Sequence, residues 1–246
     1  MDKLLYVAMS GASQTMLAQA ANNNNLANAS TTGFRADLSA FRAMPVFGPG
    51  APSRVYAMAE RPGTDFSYGS LLATGRDLDV AVKGEGWIAV QGPDGREGYT
   101  RAGDLRISSA GLLENGAGHL VLGNSGPIAI PPAEKIEIGA DGTLSIQPVG
   151  QTATTLAVID RIKLVKPPLE ALTKGEDGLM RMQDDSILPP DAAVGVSAGS
   201  LEASNVNPVD AMVNMISLAR QFEMQVKMMR TSQENDASAA QILRMG

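Results

Sequence analysis

The chain has 246 residues, enough for one large domain or two modest ones, and it is 44% hydrophobic but only 4% aromatic. Its formal net charge of −6 points away from nucleic acid and from an anionic membrane surface. The absence of cysteine excludes a disulfide framework and thiolate metal sites.

The first segment, MDKLLYVAMSGASQTMLAQAA, has the length of a secretory signal but not its character. One Asp and one Lys stand where a basic region belongs, and Ser10, Gly11, Ser13 and Gln14 interrupt the apolar run, so no cleavable signal is expected. No stretch approaches the ~18 unbroken apolar residues of a membrane span. Instead Leu5, Met9, Ala12, Met16, Gln19, Asn23 and Leu26 recur in steps of four and three, which predicts a helix from Asp2 to about Asn28. A run of asparagines, Asn22 to Asn25, sits inside that pattern although asparagine competes for backbone hydrogen bonds. The run is expected to let the helix end while offering donors and acceptors to neighbouring subunits. A solvated last turn is the alternative.

Residues 31–75 are rich in Gly, Pro and Ser (PVFGPGAPSR, ERPGTDF, YGSLLATG) and read as an extended linker. Residues 76–204 alternate short β-type runs with turn signals. LDVAV, WIAVQ, DLRIS, HLVL, PIAI, KIEI, TLSIQ and LAVIDRIKLV are the candidate strands, separated by Pro93-Asp94-Gly95, Asn115-Gly116, Asn124-Ser125-Gly126 and Asp141-Gly142. This pattern predicts an antiparallel β-domain, without βαβ alternation.

The last segment, 205–246, opens with Asn207 as a helix cap and Pro208 at the first helical position. Positions 212, 215, 219, 222, 226, 229, 233, 236, 240 and 243 then form a heptad seam, apolar except at Gln233 and Asp236. The fold class predicted is therefore α+β: a mid-chain antiparallel β-domain flanked by long terminal helices of roughly 40 and 55 Å. Helices this long need cover on more than one side. They can fold onto the β-domain, pair with each other, or pack against other copies. The small and amide residues on the first helix (Ser10, Gly11, Gln14, Gln19 and the asparagines) suit close contacts between subunits.

Four stretches resemble the bacterial flagellar basal-body rod and hook family. "NNLANASTTGFRADLSAF" (residues 24–41) is similar to its N-terminal signature, and "LDVAVKGEGWIAV" (78–90) to the motif that opens its β-domain, with Trp87 where Phe is common. "YTRAGDLRISSAGLLENGAGHLVLG" (99–123) resembles its hairpin, and "SNVNPVDAMVNMISLARQFEMQVKMMRTSQE" (204–234) its C-terminal signature. They occur in the family's order. Asn22 and Asn23 extend the amide run beyond the family's pair. The stretch from Leu5 to Thr15 is most similar to a proximal rod protein.

The resemblance implies a non-enzymatic structural subunit. Its terminal helices would pack with those of other copies into a tube, with the β-domain outside. It would reach the periplasmic part of the basal body through the flagellar type III apparatus and transmit torque there. A distal rod or hook-type subunit is the alternative within the family, and a secreted β-domain enzyme or binding module is the alternative outside it. The partners implied are other copies of the chain and other rod proteins, with no nucleic acid, membrane insertion, cofactor or metal. The assembly interface is expected at Leu5, Met9, Met16, Asn25, Leu26 and Asn28 on the first helix. On the last it is expected at Met212, Met215, Ala219, Phe222, Val226, Met229 and Leu243.

Catalytic motifs fare poorly. Gly195-Val196-Ser197-Ala198-Gly199 has nucleophile-elbow spacing, but the single histidine, His119, lies upstream in a β-type run. Gly84-Glu85-Gly86 lacks the third glycine and the following helix of a dinucleotide loop. Asp184-Asp185 reads as a solvated turn, and the glycosylation pattern at Asn28-Ala29-Ser30 is common by chance.

Overall fold

A computed structural model describes residues 4–45, 55–60, 63–148 and 156–245, except for the side chains of 4, 59, 242, 243 and 245. The chain divides into two units, one of residues 1–29, 36–65 and 206–246, the other of 30–35 and 66–205. Most of the Gly/Pro run expected to be irregular, residues 46–54, lies outside the described residues.

The helical unit contains α1 (Leu4–Ala27), a hairpin of Ala40–Pro45 with Val55–Glu60, and α2 (Pro208–Met245). Asn207 caps α2: its Oδ1 accepts from the Val209 and Asp210 amides at 3.0 and 3.5 Å. The two helices pair antiparallel within the chain. Asn22 Nδ2 donates to the Ala211 carbonyl at 2.8 Å near one end, and Gly11 lies against the Gln225 side chain farther along. The buried face of α1 carries Ala8, Gly11, Ala12, Thr15, Ala18 and Ala21, small residues that let two backbones approach closely. Thr15 satisfies its hydroxyl on the Gly11 carbonyl at 2.9 Å. Ser10 ties α1 to the hairpin through the Ala57 carbonyl. Among the described side chains of α2 the last buried one is Ser232, and those described beyond it are exposed.

The β-unit is antiparallel throughout. One sheet runs in the order Leu172–Lys174, Met180–Met182, Glu97–Thr100, Trp87–Gln91, Leu120–Val121, Leu113–Asn115 and Leu105–Ile107, with Leu164–Val165 also pairing with Trp87–Gln91. A three-stranded sheet joins Ala133–Ile138, Thr143–Pro148 and Ala157–Arg161. Two smaller pairs are Gly195–Ala198 with Val80–Lys83, and Ser200–Glu202 with Leu71–Ala73. The last pair gives part of the expected linker a strand.

The central strand Trp87–Gln91 explains why WIAV reads as an unbroken apolar run. Successive side chains point to opposite faces of a strand. Ile88 and Val90 enter one core with Val80, Leu105, Leu113, Leu144, Ile162 and Leu164, while Trp87 and Ala89 enter another with Tyr99, Val165, Leu172 and Met180. Both faces are covered, so no polar residue alternates. Thr143–Pro148 shows the opposite case: Leu144 and Ile146 are buried while the residues between them reach outward.

Candidate assembly interface

In the helical unit α1 runs through the asparagines and ends two residues past them, close to the expected end at Asn28. The backbone stays helical to Ala27, and the amides divide by direction. Asn22 bridges to α2. Asn25 grips the backbone of Asp37 twice, Nδ2 donating to its carbonyl and Oδ1 accepting from its amide, each at 2.8 Å. Asn28 Nδ2 donates to the Asn24 carbonyl at 2.9 Å, and the side chains of Asn23 and Asn24 are exposed.

The expected interface residues separate likewise. Met215, Ala219, Phe222, Val226 and Met229 are half-buried on the side of α2 that carries Ala211 and Gln225, which meet α1. Leu5 and Leu26 are half-buried. Met9, Met16 and Met212 are exposed, at 54%, 57% and 47%. The side chain of Leu243 lies outside the described residues.

Around these exposed methionines sit apolar residues that the seam pattern did not single out. Tyr6 and Leu17 stand open on α1, and Val209, Val213, Ile216, Met224 and Met228 on α2. Val209, Val213 and Ile216 follow the i, i+4, i+7 spacing of a helical stripe, which was readable in the sequence. Both paired helices thus turn large apolar side chains to solvent.

In the β-unit, three of the four resembling stretches meet at one buried cluster. Arg35 from TTGFR, Arg101 from YTRAGD and Trp87 from GEGWIAV gather around Glu202, two residues ahead of the C-terminal signature. Glu202 Oε1 accepts from Arg35 Nη2 and from the Gly69 amide, and Oε2 accepts from Arg101 Nη1 at 2.9 Å. Arg101 also donates to the carbonyls of Val82 and Gly84. Both guanidinium groups lie over the Trp87 ring, at 5.5 and 5.9 Å, and Arg101 lies over Tyr68 at 5.1 Å. Burial pulls Arg101 below the usual guanidinium range, with Glu202 opposing.

Gly33 brings the strap 30–35 into place. Its φ is +66°, its amide donates to the Glu202 carbonyl, and a Cβ there would sit 2.3 Å from the Arg101 carbonyl carbon. Asn205 N–H donates to the Phe34 carbonyl, and Lys174 Nζ to that of Arg35. The segments entering and leaving the β-unit are thus tied to each other and to its sheets.

The Gly195–Gly199 stretch does not form a nucleophile elbow. Ser197 lies within the strand Gly195–Ala198, paired with Ala81, and no helix follows it as an elbow requires. Among the described residues no cluster of His, Asp or Glu could hold a metal ion. Among them, too, no helix is long and apolar enough to cross a membrane.

Three family models match the chain. Residues 5–35 match the flagella basal body rod protein model and 81–146 the flagellar hook protein FlgE/F/G D1 domain. Residues 197–242 match the flagellar basal body rod FlgEFG protein C-terminal model. The flagellar basal-body rod protein FlgF of Escherichia coli is 45% identical over 100% of both chains. This chain belongs to the flagellar basal-body rod protein family. FlgF of Salmonella typhimurium is 44% identical over 100% of both chains. The rod protein FlgG of Bacillus subtilis is 31% identical over 95% of this chain and 96% of its own. The chain is a structural subunit of the basal-body rod, and the ion cluster and helix pair described above fall within or beside the matched segments.

Proposed function

We propose that this rod-family chain is a proximal rod subunit that assembles helically with copies of itself and with other rod proteins to transmit torque. The observation that carries the reading is the pair of exposed apolar stripes, centred on Met16 in α1 and Ile216 in α2. The alanine seam already satisfies the contact between the helices, so the larger apolar side chains face outward for neighbouring subunits to cover. Placement in the proximal rod is supported by 45% and 44% identity to FlgF proteins over the full length of both chains. The reading includes a non-enzymatic role, a periplasmic location and export through the flagellar apparatus without a cleavable signal.

The test is the double variant Val213→Asp, Ile216→Asp, expressed in a flagellated strain lacking the native subunit. Both positions are exposed, so the isolated protein is expected to keep its fold by circular dichroism while rod incorporation and swimming are lost. Normal swimming by the double variant counts against the proposal.

A further inference from the structure

We propose that the exposed methionines of the two terminal helices are oxidation-sensitive sites, and that their conversion to sulfoxides prevents the unassembled subunit from docking. The second half of the proposal rests on reading these exposed side chains as an interface; the first half does not. The chain has 13 methionines, and the fold sorts those it describes by access. Met9, Met16, Met212, Met224 and Met228 stand exposed on the two helices. Met215 and Met229 are half-buried along the helix pair, and Met180 is 2% exposed in the second core of the β-unit.

Methionine fills irregular contacts well because its thioether is flexible and polarizable, and the same sulfur is the soft target of peroxides. Hydrogen peroxide transfers one oxygen to the thioether sulfur and leaves as water. The sulfur is oxidised by two electrons, the O–O bond breaks, and no proton is left over. The product carries a strong hydrogen-bond acceptor where an apolar surface was to be buried, and burying an unpaired acceptor is costly. Among the described side chains, five of the ten large apolar ones exposed on these helices are methionines, so oxidation puts a polar group at half of these positions. Methionine sulfoxide reductases would restore it.

The experiment treats the purified full-length protein with dilute hydrogen peroxide and maps each methionine by mass spectrometry. Met9, Met16, Met212, Met224 and Met228 are expected to oxidise about tenfold or more faster than Met180, as exposure dictates. Equal rates at Met180 and Met16 overturn the assignment. Sedimentation velocity then follows association of the protein with itself and with purified rod-family proteins. Oxidised protein is expected to lose association, while the variant M9L/M16L/M212L/M224L/M228L, folded and equally apolar, keeps it after peroxide. Undiminished association of the oxidised protein overturns the proposal. If the untreated protein does not associate but the oxidation order is as expected, the oxidation sites stand and the interface reading fails.

Discussion

Arg35 and Glu202, 167 positions apart in the chain, share a buried ion pair with both side chains almost wholly sealed from solvent. Arg101 joins from the sheet, so two cations meet one carboxylate, with Arg35 Nε and Nη1 and Arg101 Nε unpartnered among the described residues. Removing the anion and removing a cation should therefore differ. Glu202→Gln leaves two guanidinium groups buried together and should cost about 3–5 kcal/mol, lowering Tm by about 10 °C. Arg35→Met leaves the neutral Arg101–Glu202 pair and should cost clearly less. Thermal unfolding of the two variants decides this, and equal losses would mean that charge balance does not govern the cluster.

Gly33 is held by conformation and by space at once. Gly33→Ala would need a left-handed backbone and would press its methyl into the Arg101–Ala102 peptide, so a loss of at least about 2 kcal/mol is expected. Gly95 also has a positive φ, +79°, but a Cβ there meets nothing within 4 Å. Gly95→Ala should cost only about 1 kcal/mol, the conformational part alone. Urea unfolding of both variants separates strain from collision.

The asparagine run offers a comparison within one helix. Asn25→Ala removes two hydrogen bonds to the Asp37 backbone and should destabilise the chain by about 1–3 kcal/mol. Asn23→Ala removes an exposed amide from a helix and should stay within about 0.5 kcal/mol of neutral, on the stabilising side. Denaturant midpoints measure both.

That contrast also marks how far the sequence could be read. Turn residues and strand runs were legible because Asp141-Gly142 and WIAV report local geometry. So was the cap at Asn207, whose partners lie two and three residues away. The direction of each asparagine was not, because Asn22 and Asn25 are committed by partners that only the fold brings near. The seam of α1 was half legible for a related reason. Steps of three and four run through Met9, Ala12 and Met16, and equally through Ala8, Gly11, Thr15 and Ala18, so periodicity gives the helix without saying which stripe faces α2. Size decided it, with the small residues turned inward. The Arg35–Arg101–Glu202 cluster carried no local signal beyond its place in the motifs.

The same division of faces gives a prediction about stability against assembly. Ala12 is 6% exposed on the face where α1 meets α2, so Ala12→Leu must push the helices apart or strain the new side chain. Overpacking of this kind costs about 1–3 kcal/mol, and the isolated chain should lose that much in urea unfolding. Met16→Asp places a charge on the exposed stripe four residues away. The isolated chain should lose no more than about 0.5–1 kcal/mol, because Met16 is more than half exposed and the rest is helix propensity. Swimming should respond in the opposite order, failing with Met16→Asp and persisting with Ala12→Leu wherever enough folded subunit survives. If Met16→Asp instead unfolds the lone chain, then the methionine face already packs within the molecule, and neighbours are not what it is for.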